Sequence, residues 1–412
     1  MIKPEIKKDA VQYTMDTIKY VCDEIGPRES GMEAEKKAQE FFVKELKDNG
    51  WADEIMVDEF TISRHALVGF TKIIGVMLIL ASLIQFIGLI GNPLVVRIVS
   101  IASILLVILS LTILIFEFIL YKEFIDWALP QTQSRNVYAK YKPKGTVKRR
   151  IVINGHVDSA YEWPLMRVHQ NFMVATLVTC LIFALASLSL YIKNAVHGVI
   201  PWYSFVVTTL GGISYIALFY VCTFKTISPG ANDNLTGTLT AITTLKCLKE
   251  SGIRFEHTEV AALLTGAEEA GLRGAKAWAR KYKKEIDEVE TAVIVFDTLR
   301  DFDWATICYR DMTGLVANSE RVAALLVEAG KKANQPLKQG IIPFGASDAA
   351  ALSREGVHAA TIVAQNQLGT DYYHTRNDKP DNMCEKTVAL GLDVALAAVE
   401  LFDKNGLPRV KE

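Results

Sequence analysis

Three kinds of hydrophobic pattern follow one another along this chain. Residues 10–25 and 30–49 have helical period, closed by Gly26-Pro27 and Asn49-Gly50, with Phe41, Phe42, Val43 and Leu46 on one apolar face. Residues 54–63 alternate apolar and acidic positions, the period-two signature of a strand. From Val68 the pattern loses its polar phase. Runs 73–96 and 98–116 carry no charge, and the turn Gly91-Asn92-Pro93 breaks them. A second uncharged pair, 171–192 and 199–224, is joined by Lys193-Asn-Ala-Val-His197-Gly. Each run offers about 20 apolar residues, enough to cross about 30 Å of hydrocarbon. Four such runs paired by tight polar turns predict two transmembrane hairpins rather than long buried soluble helices. Arg97 and Glu117, near run ends, are expected to snorkel to the interface rather than line an ion path.

Between the hairpins, 134–141 and 149–154 read as strands around a Lys142-Pro-Lys-Gly145 turn. After the second hairpin, helical patterns at 235–251, 272–284, 319–333 and 384–404 alternate with strands at 259–264, 291–296 and 356–363. Strands alternating with amphipathic helices predict a three-layer α/β domain with a mostly parallel sheet centre. The expected division is a catalytic domain in three parts, 1–67, 122–170 and 225–412, interrupted by hairpins at 68–121 and 171–224. If the first three strands form a meander, strands one and three run the same way. Both hairpins then leave from one edge of the sheet.

Composition changes this picture little. The chain has 412 residues, half of them hydrophobic, and a net charge of -1, which excludes the basic field of a nucleic-acid binder. Mean hydropathy is +0.20, high for a wholly soluble protein. Six scattered cysteines without a Cys-x-x-Cys pair suggest a reducing compartment. The polar start Met1-Ile-Lys-Pro-Glu reads as no cleavable signal peptide.

Candidate chemistry begins at Ile151-Val-Ile-Asn-Gly-His156-Val-Asp158, an apolar strand that stops on a histidine and an aspartate. The imidazole can bind a metal while the aspartate fixes its tautomer. Asp233 lies in a turn-rich loop, Glu268-Glu269 follows a strand, Asp297 ends another, and Tyr373-His374 with Asp378 sits in a polar loop. Singly these could be helix caps, first-turn acids or surface residues. Jointly, strand ends that deliver acid and imidazole groups line one crevice of an open α/β sheet. Two histidines, three carboxylates and one spare glutamate suit two zinc ions and a proton shuttle.

These segments resemble the family-28 metallopeptidases, the co-catalytic di-zinc aminopeptidases. The resemblance runs through Ile25-Gly-Pro-Arg28 with Gly31, Asn136-Val-Tyr-Ala, His156-Val-Asp158, Gly230-Ala-Asn-Asp233-Asn-Leu-Thr-Gly, Glu268-Glu269 with Gly271 to Gly274, Asp297, Ser347-Asp348 and Tyr373-His374-Thr375. It implies an α/β/α phosphorylase/hydrolase-like exopeptidase domain with a mixed sheet, acting on peptides. It further implies that His156 and Asp297 hold one zinc, Glu269 and His374 the other, and Asp233 bridges them. Glu268 would be the general base, Asp158 would orient His156, and Tyr373 would stabilise an oxyanion. For Asp378 two roles stand open, support of His374 or a structural one, and for Asp348 likewise a place in the pocket wall or a structural role. The hairpins depart from most relatives and imply an integral membrane protein with the lipid bilayer as a partner. Arg64, Lys122, Arg135, Arg167 and Lys225 flank the spans on the side shared by both termini, against Lys193 in the short turns, so the catalytic parts are expected in the cytoplasm. Two other readings compete, a single-zinc glutaminyl-cyclase-like acyltransferase and a non-catalytic peptide-binding homologue.

Overall fold

The computed structural model describes every residue except 1, 312, 314, 336, 367–368 and 410–412. The chain divides into two compact units. One is built from the residues up to Arg64, Pro130–Ala160 and those from Ile227 on; the other is His65–Leu129 with Tyr161–Thr226.

The first unit is a mixed α/β fold. Its strands are β1 (Glu54–Ile62), β2 (Thr132–Tyr141), β3 (Arg149–His156), β4 (Thr258–Thr265), β5 (Glu290–Leu299), β6 (Ala305–Asp311), β7 (Val316–Ala317), β8 (Lys338–Ile342) and β9 (His358–Ala364). They form one mixed sheet in the order β1-β2-β4-β3-β5-β9-β6-β7, with β8 paired to β6. The centre, β4-β3-β5-β9, is parallel throughout. Its strands are almost entirely buried, as apolar runs covered on both faces must be. The helix Thr236–Glu250 packs across β3, β4 and β5. It comes very close at Gly155, where a Cβ would fall 2.3 Å from backbone atoms of Gly237 and Thr238. A Cβ on Gly237 would in turn meet the Phe296 carbonyl at 2.2 Å. These two glycines let the helix start directly over the strand ends.

The first three strands are not a meander. β4 lies between β2 and β3, antiparallel to one and parallel to the other. The reason is the crossover: β3 reaches β4 through a helix, and such a connection places parallel strands side by side. β1 and β3 still run the same way, so Ile62 and His156 end on one edge of the sheet. β6, β7, β8 and the short helix Asp348–Arg354 carry no strong periodic signal and were not expected from the sequence.

The second unit contains four helices long and apolar enough to cross a membrane: Ala66–Ile90, Pro93–Ile119, Gln170–His197 and Trp202–Tyr220. Asn92 caps the second, its side chain accepting from the amides of Leu94 and Val95 at 2.9 and 3.4 Å, a cap worth about 1 kcal/mol. The polarity of this unit is inverted. Leu89, Ile90, Leu94, Ile98 and Leu105 are exposed, whereas Ser103, Gln85, Asn194, Tyr191 and Thr208 are buried. Gln85 donates to Ser103 at 2.9 Å, and Ser103 donates to the Ala81 carbonyl at 2.8 Å. Glu117 does not reach outward. It is buried, and one of its carboxylate oxygens accepts from the amides of Phe124 and Ile125, both at 2.7 Å, which folds the chain back at the end of the helix. All six cysteines are free thiols.

Candidate metal centre

Four segments at the carboxyl ends of the parallel strands bring the candidate residues together. β3 ends on His156 itself. β4 ends at Thr265, and the chain turns through Ala267 into Glu268-Glu269. β5 continues through Asp297, and its register with β9 shifts between Asp297 and Leu299. His374 comes from the loop after β9. The Asp233–Asn234 peptide is cis.

Asp233 lies between the two histidines. One carboxylate oxygen is 3.2 Å from His156 Nε2, and the other is 3.1 Å from His374 Nε2. His374 Nε2 is also 3.3 Å from Glu269 Oε1, and His156 Nε2 is 3.9 Å from Glu268 Oε2. The donor atoms form compact groups within 4.8 Å: His156 with Asp233 and Asp297; Asp233 with Glu269 and His374; His156 with Glu268 and Glu269. Asp233 Oδ2 and Glu269 Oε1 are both buried and both turn toward the His374 imidazole nitrogen. Acceptors of this kind, converging with imidazole nitrogens and almost no solvent, fit divalent cations bound by nitrogen and oxygen.

The electrostatics agree with that fit. Burial raises Glu268 well above the carboxylate range, with Glu269 and Asp348 adding and His156 opposing. Burial, then the Asp233 charge, pushes Asp297 up to about 7. Burial works against a charge on His374, but Glu269 and Asp233 outweigh it and lift the imidazole to about 10. His156 is raised in the same way by Glu268, Asp158 and Asp233 against the effect of burial. Asp233 is held below its ordinary range by the two imidazoles, although burial acts the other way. This cluster binds protons wherever no other cation neutralises it.

A second tier of buried groups fixes the ligand-bearing segments. Asp158 accepts from the amides of Glu268 and Glu269, each at 3.1 Å, and from Ser30 at 2.7 Å. His156 Nδ1 faces the Asp158 backbone carbonyl at 3.2 Å and its carboxylate at 3.4 Å, so Asp158 meets the imidazole through two groups. Glu35 accepts from the Ala267 amide at 2.9 Å and the Gly31 amide at 2.7 Å. Asn136 accepts from Gly266 and donates to the Gly274 carbonyl. Asn234 donates to the Phe296 carbonyl at 2.8 Å and accepts from the Thr298 amide, tying the Asp233 loop to the end of β5. Asp348 accepts from Thr265 at 2.5 Å. Asp378 takes the structural role, on the Asp233 loop. It accepts from the Asn232 amide and side chain and from the Asp233 amide, at 2.9, 2.7 and 3.0 Å. Tyr373 stacks on His374 with ring centroids 3.9 Å apart, and burial together with the surrounding carboxylates keeps its phenol neutral. Glu35, Ser30 and Asn234 were missed in the sequence. The only signal for the first two was their position just after Gly-Pro-Arg28.

The backbone is strained where the ligands sit. Ala267, Thr298 and His374 have φ of 52°, 49° and 52°, a region that costs a non-glycine residue about 1–2 kcal/mol. Thr298 adjoins the candidate ligand Asp297, His374 is itself one, and Ala267 leads into the Glu268-Glu269 turn.

Residues 215–399 match the model of peptidase family M28. The matched stretch contains Asp233, Glu268, Glu269, Asp297, Tyr373 and His374, and His156 and Asp158 precede it. No curated protein sequence matches. Among solved structures, an aminopeptidase from Aneurinibacillus sp. strain AM-1 superposes with a TM-score of 0.55 at 16% identity, covering 96% of this chain and 95% of that one. BSAP, a zinc aminopeptidase from Bacillus subtilis, gives 0.55 at 14% identity, covering 94% of each chain. A glutaminyl cyclase from Fimbriiglobus ruber gives 0.53 at 14% identity, covering 97% of this chain and 95% of that one. The fold is therefore that of these enzymes.

Because His156 and His374 hold protons near neutral pH, a metal must displace them to bind. Zinc affinity of the stripped protein should rise with pH from about 6 to about 8, with proton release visible by titration calorimetry in buffers of different ionisation heat. Zinc uptake that releases no protons and ignores pH would contradict this electrostatic account.

Proposed function

We infer that this chain, matched to peptidase family M28, is a membrane-anchored di-zinc exopeptidase that removes N-terminal residues from peptides. The observation that carries the reading is the Asp233 carboxylate, which offers one oxygen toward His156 and the other toward His374. His156, Asp233 and Asp297 would hold one ion, and Asp233, Glu269 and His374 the second. Their setting is a three-layer α/β/α domain.

Bound there, a zinc pair would polarise the scissile carbonyl and acidify the attacking water. The chain's own residues do the rest. Glu268, buried and held through its amide by Asp158, accepts the proton of the attacking water on its carboxylate. Its raised proton affinity suits the return of that proton to the leaving amine. Asp158 fixes the ring of His156 and the turn that carries Glu268 and Glu269. Tyr373, neutral beside His374, keeps an O–H to donate to the oxyanion as charge develops.

A single-zinc glutaminyl-cyclase-like acyl transfer is the second reading, favoured by the cyclase among the neighbours. The complete donor group His156, Asp233 and Asp297 supports two ions instead. A non-catalytic homologue would have no use for Glu268 buried next to such a group.

The four apolar helices are read as spans because their outward side chains are apolar and their polar ones are internal. An even number of spans puts both termini on one side, and the arginine and lysine bias assigns that side to the cytoplasm. A reporter fused to the C-terminus should be active inside the cell; activity only outside would reverse the orientation.

The catalytic reading is tested with the purified full chain on matched peptides with free and blocked N-termini. Free peptides should be cleaved, and Glu268→Gln should lower kcat by about 10²–10⁴-fold while keeping bound zinc. Cleavage of blocked peptides alone would overturn the aminopeptidase assignment, and full activity of Glu268→Gln would overturn the mechanism. Cyclisation of N-terminal glutamine without hydrolysis would establish the second reading.

A further inference from the structure

Arg28 is fully buried, and its guanidinium forms four hydrogen bonds, all to carbonyl oxygens. Nε donates to Val157 at 2.7 Å, Nη1 to Pro229 at 2.8 Å and Gly26 at 3.3 Å, and Nη2 to Gly230 at 2.8 Å. The backbone of residue 28 is fastened to the same place: its carbonyl accepts from the Ser159 amide at 2.9 Å, and its amide donates to Ser159 Oγ at 3.3 Å. Val157 follows His156 directly, and Gly230 lies three residues before Asp233. Arg28 therefore grips the two segments whose side chains meet at the His156 end of the Asp233 carboxylate. The fit leaves no slack. A Cβ on Gly230 would fall 2.6 Å from both Arg28 Nη2 and Ser159 Oγ.

The backbone of the Asp233 loop has a second holder, from the His374 segment. Asp378, four residues after His374, holds the amides of Asn232 and Asp233, and its carbonyl accepts from Ala231 at 3.2 Å. One loop thus carries the shared ligand between two holders, a cation that ties it to the His156 strand and a carboxylate that ties it to the His374 turn. We propose that Arg28 is the positioning residue for the metal position formed by His156, Asp233 and Asp297, and that Asp378 serves the position formed by Asp233, Glu269 and His374. The proposal rests on the di-zinc reading. It assigns a separate control of occupancy to each ion, exercised by residues that touch neither ion.

A guanidinium is needed because the four carbonyl groups approach from a fork of directions that an ammonium cannot span. Removing an outer partner of this kind costs about 10–100-fold in metal affinity. The test is stepwise loading of the metal-stripped full chain with Co²⁺ and Zn²⁺, followed by absorption and chelator competition, so that two binding steps are read without recourse to activity. His156→Ala and His374→Ala identify which step belongs to which position. Arg28→Met should weaken the His156 step by about 10–100-fold and leave the His374 step within about threefold of wild type. Arg28→Lys should fall between, and Asp378→Asn should weaken the His374 step preferentially. Arg28→Lys carries the same reading if Arg28→Met does not fold. Equal weakening of both steps by Arg28 variants, or of neither, would overturn the proposal. A single binding step in the wild-type protein would instead overturn the di-zinc reading on which it rests.

Discussion

The site depends on one buried carboxylate shared between two imidazoles. Asp233 sits in almost no solvent with His156 3.2 Å from one oxygen and His374 3.1 Å from the other. Those imidazoles come from distant parts of the sequence, one from a central strand and one from a loop near the C-terminus. The sheet must therefore hold β3 in its parallel register while the Asp233 loop and the His374 loop close over its edge. The close approaches at Gly155 and Gly237 bring the helix after Asp233 directly onto the strand ends. The Asn234 bridge to Phe296 and Thr298 locks that loop to β5.

This arrangement is costly by itself, and the surrounding hydrogen bonds offset the cost. Asp233, Glu268, Glu269 and Asp297 are crowded into a small, poorly solvated volume, which raises three of them above their ordinary proton affinity. Ala267, Thr298 and His374 are held in a left-handed conformation that their side chains disfavour. Buried groups oppose this: Glu35 and Asp158 on the Glu268 turn, Asp378 and Arg28 on the Asp233 loop. The cluster is thus prepared for cations before any arrive, which is the usual condition for tight and specific metal binding.

Much of this was legible in the sequence where apolar patterning or chemistry was local. β3, β4, β5 and β9 stand out because their runs are apolar and bounded by turn residues, β1 by its alternation of apolar and acidic positions and β2 by the turn at Lys142 to Gly145 that follows it, and the four long uncharged runs became the four apolar helices. His156, Asp233, Glu269, Asp297 and His374 each sit at a strand end or in a turn-rich loop. β8 (Lys-Gln-Gly-Ile-Ile) escaped because it is a half-exposed edge strand, and Asp348–Arg354 because seven residues show barely two helical turns. Glu35 looks like a solvated first-turn acid on an amphipathic helix, yet it is 1% exposed, and only tertiary contacts reveal why. Glu117 misled in the same way, since a charge near the end of an apolar run gives no hint of the two amides waiting for it. The insertion of β4 between β2 and β3 follows from a crossover that no local pattern records. The strain at Thr298 and His374 is likewise invisible in residue type.

The shared carboxylate is tested most directly by X-ray absorption at the zinc edge on the purified, zinc-loaded full chain. The account predicts two zinc ions per chain with a zinc–zinc scattering distance of about 3.5–4 Å, lost in Asp233→Ala. A single zinc ion per chain, with no metal–metal scattering, would contradict it.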